Sequence, residues 1–334
     1  MGLLRFLETL RTPFFDGFFS LITHLGEEIF FMAIAIVLFW CVNKRAGLYV
    51  LITCFVGTFV NQTLKLIFRV SRPWVLDPEF TIVESAREQA IGYSFPSGHT
   101  QNIVGTAGAV GAFYRRRGVW IAAIVVSALI AFSRMYLGVH TPWDVLCSLA
   151  VAVLLVMLFE PVFRSEERTR RVMPILCAVG WLLSVAFLIF VRLQPAEAHE
   201  SENLLSAMKN AAAMNGCAVA LALVWFLDDR RIRFQTAAPW YAQILKLVIG
   251  FAVIIGIKTG LSAPLVALFG NEYVARAVRY FLIVLFAGAG WPCTFRWFAA
   301  MRVAPLDRFS ARIGCLFCKA GKSVEKNEKE IQKE

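Results

Sequence analysis

An all-α fold, a polytopic transmembrane bundle of about nine spans preceded by one interfacial helix, is what this sequence predicts, and three observations predict it. Hydrophobic residues fill 58% of the 334 positions and charged residues 17%, with a mean hydropathy of +0.64. A water-soluble domain has too little interior to hide that much apolar surface. The apolar residues also fall in runs near the roughly 20 residues that carry a helix across the hydrocarbon layer. Lysines and arginines, which give a formal net charge of +11, cluster mostly between those runs. That is a topology pattern, not the basic patch of a nucleic-acid binder.

Taken in order, residues 1–26 place Phe14, Phe15, Phe18, Leu21, Ile22 and Leu25 near one helical face, interrupted by Arg5, Glu8, Arg11, Pro13 and Asp16. The segment predicts an amphipathic helix at the interface, not a span or a cleavable signal peptide. Nine spans follow, at 28–43, 46–68, 98–114, 118–134, 142–163, 172–192, 204–227, 240–268 and 274–300. Their connections alternate in charge. Lys44/Arg45, Arg115–Arg117, Arg164/Arg168/Arg170/Arg171, Arg230/Arg231/Arg233 and the Lys-rich tail all fall on one side. The positive-inside rule makes that side cytoplasmic, with the N-terminus outside and the C-terminus inside. The extracytoplasmic face then receives 69–97, 134–141, 193–203 and 271–275.

Four segments are expected: 1–26 interfacial, 27–165 a core bundle, 166–301 additional helices of unassigned role, and 302–334 a basic cytoplasmic tail. The end of the tail, 319–334, reads as disordered. Cys41, Cys54, Cys147, Cys177, Cys217 and Cys293 lie in apolar segments and read as small hydrophobes, while Cys315 and Cys318 form a lone C-x2-C, too little for a metal site. Lys258, Arg276 and Arg279 lie in or beside spans. Intramembrane cations point to function by default, and snorkelling to the interface is the simpler reading of these three.

Three stretches of the expected core carry chemistry. In Lys65-Leu-Ile-Phe-Arg-Val-Ser-Arg72-Pro73, the two cations stand two helical turns apart and can share a face. Arg offers a planar fork to two phosphate oxygens and Lys a compact charge, while Arg69 reads as an interfacial anchor. Pro96-Ser97-Gly98-His99 opens a span with Ser97 as N-cap, so helix-start amides point at an anion and Gly98 permits close approach. In Ser133-Arg134-Met-Tyr-Leu-Gly-Val-His140-Thr-Pro-Trp-Asp144, Thr141, Pro142 and Asp144 read as N-cap, first and third helical positions. Asp144 is also near enough in sequence to fold back on His140. His24 and His199 have no partner legible in the sequence. Three fixed cations suit a dianion of phosphate size, and a histidine backed by a carboxylate is a nucleophile in waiting.

The same stretches match K-x6-RP, PSGH and SR-x5-H-x3-D at every fixed position and in order. On them the chain resembles the type 2 phosphatidic acid phosphatase superfamily, over roughly residues 1–165. The resemblance implies that His140 attacks phosphorus, Asp144 orients it, and Lys65, Arg72, Arg134 and the Ser97 and Gly98 amides hold the phosphate oxygens. It further implies that His99 protonates the departing alkoxide and then activates water against a phosphohistidine, without a metal or other cofactor. With few carboxylates besides Asp144 in the spans, a two-metal centre lacks ligands.

The expected function is a metal-independent lipid-phosphate phosphatase at the extracytoplasmic face of a bacterial cytoplasmic membrane. Its substrates would be phosphatidate-like lipids or polyprenyl (di)phosphates, reaching the site through the bilayer. Two other readings stand beside it. The nine-span layout also resembles glucose-6-phosphatase, which acts on a soluble sugar phosphate but lacks the motif aspartate. A transporter or flippase could use the cations to bind without cleaving, although binding alone needs no nucleophile.

Overall fold

The structure is a computed structural model that describes residues 1–88, 90, 92–195 and 202–306. His199, Cys315, Cys318 and the tail 319–334 lie outside the described residues. Every element among the described residues is helical.

Two short helices, α1 (Gly2–Thr9) and α2 (Pro13–Thr23), stand where one interfacial helix was expected. Pro13 starts the second, with Thr12 accepting from the Phe15 amide. Helix α3 (Glu28–Val37) runs on through a π-helical turn, Leu38–Val42, and meets the 13–26 segment at a 53° bend. There follow α4 (Lys44–Phe68), the short α5 (Pro73–Leu76), α6 (Gly98–Tyr114), α7 (Arg117–Tyr136), α8 (Pro142–Phe163), α9 (Glu166–Arg192) and α10 (Glu202–Leu227). The last are α11 (Trp240–Gly260), α12 (Ser262–Phe269), α13 (Glu272–Leu285) and α14 (Phe295–Ala300).

Seven of these helical stretches are long and apolar enough to cross a bilayer, or eight if the bent pair counts as one span. The chain is thus an integral membrane helix bundle, and of the nine expected spans only 28–43 and 98–114 do not pass that test by themselves. The difference has a local cause. Helix α6 has 17 residues, and its first turns bury Thr100, Gln101, Asn102 and Thr106. It is the axis of the bundle, packed on α4, α7 and α8, so its polar side chains meet protein rather than lipid. The expected run 240–268 breaks at Gly260 into α11 and α12, and 274–300 is interrupted by the π turn Phe286–Gly290 and by Pro292, yet each still supplies one of the seven candidate spans.

The outward faces of the long helices are apolar. On α8, Leu154, Met157 and Leu158 are 65%, 66% and 65% exposed at three- and four-residue spacing, as a lipid-facing stripe should be. Inward, Tyr49 of α4 stacks on Phe163 at 5.2 Å and donates to the Val156 carbonyl at 2.5 Å, joining α4 to α8.

Contacts sort the loops to two ends. At one end Lys44 pairs with Asp228 at 2.6 Å, Arg170 with Asp229 at 2.7 Å and Arg115 with Glu160 at 2.5 Å. These are members of the basic clusters whose charge alternation was read from the sequence. At the other end the 77–83 segment is tied to the first two helices. Arg5 meets Asp77 at 2.7 Å, and Arg11 donates to the carbonyls of Thr81 at 2.8 Å and Tyr136 at 3.1 Å. All three motif stretches converge at this second end.

Candidate active site

A cavity of about 390 Å³ opens between α3, α4 and α6 at that end. Lys65, Arg72, Gly98, His99 and His140 line it, with Asn61, Asn102, Glu27 and Glu28. Arg134, Ser97 and Asp144 do not line the cavity and are buried behind its wall, Arg134 and Ser97 at 0% and Asp144 at 1% exposure.

His140 lies in the turn between α7 and α8. Its amide and that of Val139 both donate to the Arg134 carbonyl at 3.2 Å, and Gly138 turns the chain with φ of +81°, a conformation that suits glycine. Thr141 and Asp144 form a capping box at the start of α8, so the capping role read from the sequence is realised. Asp144 also does more than cap. Its Oδ2 accepts from His140 Nδ1 at 3.3 Å, from the Thr141 amide at 2.8 Å and from Ser94 Oγ at 2.5 Å. On the other side of the ring, Arg72 Nη1 stands 3.1 Å from His140 Nε2. Arg72 has only protons to give, so Nε2 is the acceptor and Nδ1 carries the hydrogen toward Asp144. Burial first, then the charges of Arg72, Arg134 and Lys65, holds this imidazole well below the usual histidine range. The ring is therefore neutral, with its Nε2 lone pair on the cation side.

The remaining side chains assemble from distant segments. Arg72 is fixed by donating to the carbonyls of Gly92 and Val139, both at 3.0 Å. Arg134 donates from Nη1 to Thr23 Oγ1 at 2.7 Å, while its Nε and Nη2 are buried without a hydrogen-bond partner. His99 Nε2 is likewise buried and unpartnered. The 24–26 turn lies against His99 because Gly26 has no side chain, since a Cβ there would stand 2.8 Å from His99 Cβ.

Three sequence expectations need correction. Ser97 occupies the N-cap position, but its side chain does not cap the helix; its Oγ accepts from Thr100 Oγ1 at 3.1 Å. The Ser97 amide, expected to hold a phosphate oxygen, donates instead to the Asp144 carbonyl at 3.1 Å, tying α6 to α8. The first bond of α6 runs from Gln101 N–H to the Ser97 carbonyl at 3.1 Å, so the helix-start amides begin at Gly98. His24, read as having no partner, has Nδ1 2.6 Å from Glu27 Oε1. Glu27 and Glu28, at the head of the expected span 28–43, also reach the cavity.

Sequence reasoning missed Ser94, Thr23 and Asn61, which hold Asp144, Arg134 and, at 3.4 Å, the Pro96 carbonyl. Single Ser, Thr and Asn residues in loops and spans carry no signal by themselves. The acidic pair Glu27–Glu28 at the head of an apolar run was the one available clue.

Fold and pocket together define a class: a polytopic membrane protein with a cavity lined by histidines and cations at one end of its bundle. A PAP2 superfamily domain is matched over residues 46–168, and a PAP2 superfamily phosphatase transmembrane extension over residues 210–302. The chain is 33% identical over 128 residues to an undecaprenyl-diphosphatase of Bacillus subtilis, covering 38% of this chain and 62% of that one. It is 27% identical over 179 residues to phosphatidylglycerophosphatase B of the same organism, covering 48% and 82%. A probable sphingosine-1-phosphate phosphatase of Dictyostelium discoideum is 28% identical over 160 residues, covering 44% and 38%. The chain thus spans less than two thirds of the length of the first and third of these relatives. No solved structure matches it.

Proposed function

We propose that the protein is a lipid-phosphate phosphatase that works through a phosphohistidine on His140. The observation that carries this reading is the convergence of His140 Nε2, Arg72, Lys65 and His99 on one cavity, with Asp144 behind the ring. A site that only bound phosphate would need the cations but not an oriented, neutral imidazole among them.

In the first step a phosphate monoester dianion enters the cavity, and its oxygens draw the Arg72 fork away from Nε2. Nε2 then attacks phosphorus in line with the ester oxygen, forming an N–P bond as the P–O bond breaks. Asp144 stabilises the imidazolium character that develops on Nδ1–H. Lys65, Arg72, the enclosed Arg134 and the Gly98 amide balance the charge on the equatorial oxygens. His99 protonates the leaving alkoxide, then takes a proton from water as water cleaves the N–P bond and releases phosphate. The residues 27–165 carry this chemistry, and 166–301 add helices around it.

The substrate class is supported by the apolar exterior, by the position of the cavity at the bundle end, and by relatives whose names are those of lipid phosphatases. The face is assigned as extracytoplasmic, since the basic clusters gather at the opposite end.

The test is phosphate release by purified protein, with chelator present, from phosphatidate, a polyprenyl diphosphate and glucose 6-phosphate. Release from the lipids, with a trapped phosphohistidine that His140→Ala abolishes, is the expected result. Turnover of glucose 6-phosphate alone, or turnover lost to chelator, would overturn it. Sealed vesicles of known orientation, offered a substrate that cannot cross, report the face.

A further inference from the structure

A second polar cavity, of about 580 Å³, lies at the end of the bundle opposite the phosphate site. The first turns of α4 and α9 wall it, together with the segment 228–236 that follows α10. Two of its cations are engaged by neighbours, Lys44 by Asp228 and Arg170 by Asp229. Two others meet only backbone oxygens. Arg45 gives Nη1 to the carbonyls of Phe163 at 3.3 Å and Arg164 at 2.9 Å, and Arg233 gives Nε to the Asp229 carbonyl at 3.0 Å. Neither arginine pairs with a carboxylate among the described residues. Glu166 is the one other charge in the wall, so four cations face three carboxylates and one positive charge is left over.

The cavity has an apolar neighbour. Trp225 and Asp229 line both the cavity and a groove of about 520 Å³ between α9 and α10. Pro174, Ala178 and Trp181 form one wall of the groove, at the spacing of a single helical face, and Val219, Ala222 and Phe226 form the other. Trp181, Val219 and Phe226 are 45%, 44% and 55% exposed, so the groove opens sideways, toward lipid in a membrane bundle. The helical rise from Pro174 to Trp181 makes it roughly 10 Å long, which fits inside the roughly 15 Å depth of one leaflet. A chamber with one uncompensated positive charge, beside an apolar groove one leaflet deep, has the two parts of a phospholipid with one net negative charge. A soluble anion would use only the chamber, and an uncharged lipid only the groove.

We propose that this end of the protein holds an anionic phospholipid as a bound ligand that is not a substrate, with its phosphodiester between Arg45 and Arg233 and an acyl chain along the α9–α10 groove. The planar forks of the two arginines suit the two free oxygens of a phosphodiester. The lipid comes from the leaflet opposite the phosphate cavity. It joins the two halves of the chain, because α4, which carries Lys65 near its other end, belongs to the core bundle and α10 to the additional helices. The site stands apart from the phosphatase reading and does not depend on it.

Full-length protein in neutral detergent is titrated with phosphatidylglycerol, phosphatidylcholine and diacylglycerol. Bound lipid is counted by native mass spectrometry, and the unfolding midpoint is followed in parallel. One phosphatidylglycerol should stay with each chain and raise the midpoint, and the other two lipids should bind about tenfold more weakly or less. Arg233→Gln should weaken phosphatidylglycerol about tenfold and leave diacylglycerol unchanged, as expected for a lost charge-assisted contact. Val219→Trp fills the groove from its exposed side. It should abolish retention while leaving the midpoint in lipid-free detergent where it was. Glycerophosphoglycerol, the same headgroup without chains, should give no shift. A shift as large as the lipid's would make this a site for soluble anions and overturn the proposal. Equal retention of the three lipids, or retention unchanged by Arg233→Gln, would overturn it too. Lys65→Gln probes the other cavity and should leave retention intact; loss there would place the lipid at the phosphate site and end the case for this one.

Discussion

Arg134 and Lys246 are both fully enclosed cations, one in each half of the molecule, and they are enclosed in opposite ways. Lys246, on α11, donates to the carbonyls of Trp40 at 3.0 Å and Thr236 at 3.1 Å, and its ammonium sits 4.2 Å from the centre of the Phe295 ring. Its charge is spent on holding α11 against the turn after α3 and the segment before α11. Arg134 has one hydrogen bond, to Thr23, and two nitrogens with none. A protein leaves buried donors idle at a cost of about 1–3 kcal/mol each, so the idle pair fits the phosphate-balancing role proposed for Arg134, while the satisfied lysine is a structural clamp.

Substitutions can break or sharpen that contrast. The largest effect should come from His140→Ala, which removes the proposed nucleophile and should lower kcat by roughly 10³–10⁶ in a phosphate-release assay. The thermal midpoint in detergent should hardly move. Arg134→Gln should lower kcat/KM by about 10²–10³, again with little loss of stability, because the native guanidinium is poorly satisfied. Lys246→Met should do the reverse. Two carbonyls lose their donor, and stability should fall by about 2–4 kcal/mol, read as a lower unfolding midpoint, while the folded fraction turns over normally. Equal thermal losses for Arg134→Gln and Lys246→Met would dissolve the distinction. Ser94→Ala, which removes one of three donors from Asp144 Oδ2, should cost about tenfold in kcat through a less well-oriented ring.

A pH profile gives the smallest signal. Burial and neighbouring cations depress the His140 pKa, so the ring takes up its proton only below the usual histidine range. As pH falls through about 6.5, where a free imidazole would charge, kcat/KM should hold. The acid limb assigned to His140 should appear only at lower pH. A limb at 6.5 that Arg72→Gln leaves in place would mean the cations do not govern this ring.

Much of this was legible in the sequence, for particular reasons. Spacing put Asp144 within reach of His140, because capping chemistry is local. Lys65 and Arg72, expected to share a helical face, are instead separated by the end of α4 at Phe68 and the left-handed Arg69, so that Arg72 reaches the cavity as the N-cap of α5. Alternating charge sorted the loops to two ends before any coordinates, because charged side chains collect outside the hydrocarbon layer. The reading failed where a residue's role depends on what packs against it. Ser97 offered an amide to phosphate on paper and gives it to the Asp144 carbonyl in the fold. Helix α6 read as one more lipid-facing helix and is the polar-sided axis of the bundle, packed on α4, α7 and α8. His24, without a partner in the sequence, finds Glu27 three residues on.

By itself the sequence determined that this is a helical membrane protein and which residues could handle a phosphate, since hydropathy and motif spacing act over a few turns of one chain. Only the tertiary structure decided which buried cation is idle and which is clamped, and which carboxylates share the cavity with the histidines. Those outcomes depend on partners tens to hundreds of residues away, as with Thr23 for Arg134 and Trp40 for Lys246, and no local pattern encodes them.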